Sequence, residues 1–119
     1  MDLEVFDYQP LRGGFFLLKI TVNAEPKFDA VGRRALARTS IVGTNITIEL
    51  AGAKTSPEQI SISIYHEVLE AATVGAMNPP ASACGLNEAG FEAAAVRVQA
   101  TLGMACPASL NQMLEGFGF

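Results

Sequence analysis

The segment Ser56-Pro57-Glu58-Gln59, with the apolar run behind it, constrains the fold more than any other part of the chain. Ser56 can accept a hydrogen bond at a helix start, Pro57 is preorganised for the first helical position, and Gln59 completes an S-x-x-Q capping box. The spacing predicts a helix from residue 57 to residue 74 or 76, stopped by Asn78-Pro79-Pro80. Ile60, Ile64 and Val68 form one stripe along it; Ile62, Tyr65, Leu69 and Ala72 form the neighbouring one. An apolar arc that wide has to be covered on most sides, so the helix runs through the core. Charged residues on such a helix need partners, because burying them alone is costly.

Strand signals occupy the first fifty residues. Residues 3–8 read as strand, ending at turns marked by Pro10 and Gly13-Gly14. Residues 15–22 are aromatic and β-branched with one charge, Lys19, the pattern of a central strand. Phe28, Val31, Ala35 and Leu36 follow helical spacing, which suggests a short helix within residues 26–38 leading into a strand, against a cost of about 1 kcal/mol for Gly32 in a helix interior. Residues 39–42 and 45–50 are strands separated by Gly43-Thr44, and residues 52–55 leave the sheet. Ile46, Ile48 and Leu50 alternate with Thr47 and Glu49, which places that strand near a sheet edge with one wet face. Beyond the long helix, Asn87 can cap a helix over Glu88–Leu102 closed by Gly103, and Pro107 opens a last one ending near Gly116. The expectation is one α+β domain over residues 1–119, with a small mixed or antiparallel sheet in the N-terminal half packed on the long helix and one or two C-terminal helices. The apolar tail Gly116-Phe117-Gly118-Phe119 should pack back on the domain or make a self-contact with a neighbouring copy.

Composition removes several function classes. A net charge of −4 argues against a broad nucleic-acid surface, which works through Lys and Arg, and Arg33-Arg34 with Arg38 reads as solubilising charge. Half of the 119 residues are hydrophobic, enough for a core without staples. No apolar run suits a bilayer span, and the acidic start Met1-Asp2-Leu3-Glu4 lacks the basic region of a secretory signal, so the expected location is cytoplasmic and off the membrane. Cys84 and Cys106 lack C-x-x-C spacing and read as reduced, partly buried thiols. No Gly-rich phosphate loop opens a helix, and no G-x-S-x-G elbow is present.

The chemistry concentrates at His66, the only histidine, which is followed by Glu67 and, one turn on, by Glu70. Residues i and i+4 share a helix face, so the imidazole and the Glu70 carboxylate can converge on one ion. Zinc accepts both donor types. Glu67 points about a quarter-turn away, where metallohydrolase helices carry the base that takes a proton from water. The plainer reading of the same residues is a polar network in which His66 hydrogen-bonds Glu70 or Glu92 and fixes helix packing, on a domain that serves interaction or assembly. A third reading joins His66 to Cys84 and Cys106 at a structural zinc.

The run Ile64-Tyr65-His66-Glu67-Val68-Leu69-Glu70-Ala71 resembles the H-E-x-x-H helix of zincin metallopeptidases, with Glu70 where the second histidine would stand. Over residues 41–103 the order of strand, capped loop and His-Glu helix is similar to small zincin-like proteins of bacteria and phages. That resemblance implies one divalent metal, zinc foremost, held by His66, Glu70 and a third ligand from the next helix. Glu92 fills that place, with Glu88 in reserve because a carboxylate at a helix start is already favoured by the macrodipole. It further implies Glu67 as catalytic base and a peptide or protein substrate. Two carboxylate ligands lower the Lewis acidity of the ion and make manganese or iron suitable as well.

Overall fold

A mixed four-stranded sheet fills the N-terminal half of the computed structural model, which describes residues 2–23, 27–28, 34–35, 37–51 and 56–119. Its strands are β1 (Gln9–Leu11) and β2 (Phe15–Asn23), then, beyond a two-stranded ladder of β3 (Lys27–Phe28) and β4 (Arg34–Ala35), β5 (Ala37–Val42) and β6 (Asn45–Ala51). The order is β1-β2-β6-β5, with β2 and β6 parallel and both outer pairs antiparallel. The buried residues of β2 are Phe15, Leu17 and Ile20, a spacing of two and then three. One extra residue lies between Leu17 and Lys19 where β6 runs straight from Ile46 to Thr47, and this bulge turns Ile20 back onto the face of Leu17.

Three strand-region expectations change. Residues 3–8 hold a 3-10 turn, Leu3–Phe6, because Asp2 Oδ1 accepts from the Glu4 N–H at 3.0 Å and offers the backbone an alternative to a ladder. Strand β6 is not near an edge: it lies between β2 and β5, since alternation reports one dry face and says nothing of how many neighbours a strand has. The helix expected within residues 26–38 is replaced, at the described positions 27–28 and 34–35, by β3 and β4; residues 29–33 and 36 lie outside the described residues, as do 52–55.

Four helices follow among the described residues: α1 (Pro57–Gly75), α2 (Ala81–Cys84), α3 (Glu88–Leu102) and α4 (Pro107–Phe117). The fold class is α+β, as the sequence suggests. Ser56 caps α1 through a hydrogen bond from the Gln59 N–H, and Asn87 Oδ1 caps α3 by accepting from the Gly90 N–H at 2.8 Å. Helix α1 is buried over most of its circumference, between β5 and β6 on one side and α3 and α4 on the other. Ile64, Tyr65, Val68, Leu69 and Ala72 meet Leu17, Ile20, Ile46, Ile48 and Leu50 in one core. The small residues Ala94 and Ala95 of α3, both buried, let it approach α1 closely. The tail folds back on the domain: Phe117 and Phe119 pack against the core, and the Phe119 carbonyl accepts from Arg12 Nε at 3.0 Å. No described helix is long and apolar enough to cross a membrane.

Candidate metal centre

The buried middle of α1 carries His66, and the first two turns of α3 lie beside it. Because α3 starts at Glu88, its i and i+4 carboxylates, Glu88 and Glu92, share the face turned to that imidazole. The ring is thereby held from both ends. Nε2 lies 3.1 Å from Glu88 Oε2 and 3.2 Å from Glu70 Oε2, while Nδ1 lies 2.7 Å from Glu92 Oε2. The edge of Phe91, one turn before Ala95, flanks the imidazole with ring centroids 6.1 Å apart.

His66, Glu70 and Glu88 bring one donor atom each within 4.8 Å of one another, and this group can hold a metal ion. Ligands at about 2.0–2.2 Å from an ion sit about 3.0–3.5 Å from each other, a spacing that the observed 3.1 and 3.2 Å hydrogen-bond distances also meet. The two glutamates of α3 divide differently from the expectation. Glu88, the reserve, shares the Nε2 side with Glu70; Glu92 sits at Nδ1, on the opposite side of the ring. Neither cysteine belongs to the group: Cys84 and Cys106 are both free and exposed rather than partly buried, and Cys106 caps α4.

Glu67 stands next to the group, with Oε1 4.0 Å from Nε2. Its other oxygen, Oε2, accepts a hydrogen bond from Thr39 Oγ1 at 2.7 Å. From the sequence alone little marks Thr39 as part of a site. The available signal was its place in the inward row of β5, between Ala37 and Ile41, where an apolar residue is the norm. His66 is 10 % exposed at its side chain and Glu88 76 %, so the group opens to solvent along the start of α3.

Electrostatics at the cluster favour a cation. Among the described residues, the ion pairs of Glu67, Glu70, Glu88 and Glu92 are all with the single imidazole. Burial would push the His66 pKa down, but the Glu92 hydrogen bond and the charges of Glu67, Glu88 and Glu92 outweigh it and hold it above its ordinary value. Burial pushes Glu67 up, against the Thr39 bond. Glu70 rises to about 7, through burial and then through a hydrogen bond shared with Glu88. That same bond, and His66, draw Glu88 down. The one contact thus raises one carboxyl and lowers the other.

Comparison with protein-family models, with curated proteins and with solved structures finds no match to this chain.

Proposed function

We propose that the protein binds one divalent metal ion through His66, Glu70 and Glu88 and uses it to hydrolyse an amide bond, as a reduced zincin-like hydrolase. One observation carries the reading: three donor atoms from two helices lie within 4.8 Å of one another, with the two carboxylates 3.1 and 3.2 Å from Nε2, in a cluster where carboxylates outnumber the imidazole. One imidazole and two carboxylates give a neutral site with a divalent ion. Zinc fits that set first, and manganese or iron suits its oxygen donors. When bound, such an ion polarises a carbonyl oxygen and makes water acidic. Glu67 then takes a proton from water at Oε1 while Thr39 holds Oε2, and the exposed edge at Glu88 admits the substrate.

The test uses the full chain, purified without an affinity tag, with Cys84→Ser and Cys106→Ser removing thiol sites for zinc. One equivalent of zinc or manganese bound per chain is expected, and its loss in Glu70→Ala and Glu88→Ala. Glu67→Gln should keep the metal and lose about 100-fold or more of peptide hydrolysis. Metal content that stays near zero after reconstitution sinks the reading.

A second reading, a polar network on an interaction or assembly domain, is favoured by one fact: every buried side-chain nitrogen and oxygen described already has a hydrogen-bond partner. There, His66 is an imidazolium between Glu92 and Glu88, and metal addition leaves the protein unchanged.

A further inference from the structure

We infer that Glu92 is a positioning residue for His66, acting from outside the metal shell: it holds the proton on Nδ1 and so presents the lone pair of Nε2 to the ion. The inference rests on the metal reading above. A neutral imidazole carries one proton and one free lone pair, and its two nitrogens point away from each other. Glu92 Oε2, at 2.7 Å from Nδ1, is the shortest contact of the ring; Glu70 and Glu88 crowd the far nitrogen at 3.2 and 3.1 Å. Through that oxygen Glu92 cannot share an ion with Glu70 and Glu88. It can accept the Nδ1 proton, and a carboxylate accepting from a histidine ligand both fixes the tautomer and raises the donor strength of the other nitrogen.

Helix α3 supplies both functions from one face. Glu88, in its first turn, reaches Nε2; Glu92, one turn on, reaches Nδ1. Glu92 is half exposed and followed by Ala93-Ala94-Ala95, so alanine there adds helix propensity and leaves the buried face of α3 intact. Alanine also removes the Nδ1 partner of a buried ring, so its effect on folding is read separately from its effect on the ion.

His66 is the only histidine, so the two ring-nitrogen resonances of ¹⁵N-labelled protein belong to it alone. In the Cys84→Ser, Cys106→Ser chain, saturating zinc should move Nε2 and leave Nδ1 protonated. Glu92→Ala should weaken zinc about 10–100-fold in a chelator competition, with the fold intact by circular dichroism. Glu92→Gln, whose carbonyl can still accept the Nδ1 proton, should recover most of that loss. Zinc on Nδ1, or zinc affinity in Glu92→Ala within about twofold of the parent, overturns the role of Glu92 while the metal reading stands. Zinc that moves neither nitrogen and does not bind overturns the metal reading, and this inference with it.

Discussion

Tyr65, the neighbour of His66, shows how single polar atoms are settled inside this core. It is fully buried, and its hydroxyl lies 2.8 Å from both the Gly103 carbonyl and Ser109 Oγ. The Cys106 N–H donates to Ser109 Oγ at 2.9 Å and Ser109 Oγ donates to the Cys106 carbonyl at 3.1 Å, so the phenol is the donor toward both Ser109 and Gly103 and links the two. Burial pushes the phenol pKa up, which keeps its proton in place. Tyr65→Phe removes the middle link and leaves a carbonyl and a hydroxyl short of a partner. A loss of about 1–2 kcal/mol in urea unfolding with an unchanged slope is expected. A loss near zero would mean that water replaces the phenol. In the sequence Tyr65 is legible as an apolar stripe position and no more, because its hydroxyl partners come from 38 and 44 residues away. The same limit separates the two glutamates of α3. Both are visible as candidates, but which ring nitrogen each one faces depends on the approach of α3 to α1, which no local signal encodes.

Elements with their own end signals are the legible ones. Helices α1 and α3 start where Ser56 and Asn87 cap them, and α3 closes at Gly103 with φ +79, a conformation glycine adopts without strain. Strand neighbours are not legible in this way. The crossover that sets β2 parallel to β6 is a long-range choice, and β6 reads the same whether it lies inside the sheet or at its rim. Helix α2 has no side-chain cap, and the sequence offers no stronger cue than Pro79-Pro80 before it. The Asn87 cap of α3 also adjoins the candidate metal centre, because Glu88 follows Asn87 directly. Asn87→Ala frees the Gly90 N–H and loosens the first turn of α3, at a cost of about 1 kcal/mol. The metal reading adds a second consequence: Glu88 spends more time away from Nε2, so the affinity for zinc falls while that of an exposed control such as Gln112→Ala does not. Stability loss without any change in metal affinity would uncouple the cap from the site.

Over the whole molecule, protons set the charge of the cluster that the metal reading gives to a cation. Glu70, raised from 4.5 to about 7, and His66, raised above 6.5, both bind a proton more tightly in the folded chain than in the unfolded one. Glu67 is raised as well. Their contribution to stability is complete below the unfolded values and is lost as pH rises through the folded ones. Glu88 is lowered, so its contribution is present above 4.5 and lost as pH falls below that value. The metal-free protein should therefore be most stable at about pH 5 and weaken as pH rises toward about 8. Discounted for solvent screening, about 1 kcal/mol is expected, or a fall in Tm of about 3–5 °C. The net charge of −4 acts in the same direction through general repulsion, so a control is needed: Glu70→Gln removes its own titration and should flatten the slope, whereas overall charge would leave it. On the metal reading a divalent ion reverses the trend, since its ligands must be deprotonated to bind it. Zinc or manganese at 100 times its dissociation constant adds about 2.7 kcal/mol at pH 8 and much less at pH 5, where protons hold the cluster. Thermal melts at the two pH values, with and without metal, read both effects at once. An ion that raises Tm equally at pH 5 and pH 8 would have its site elsewhere, away from the carboxylates that meet His66.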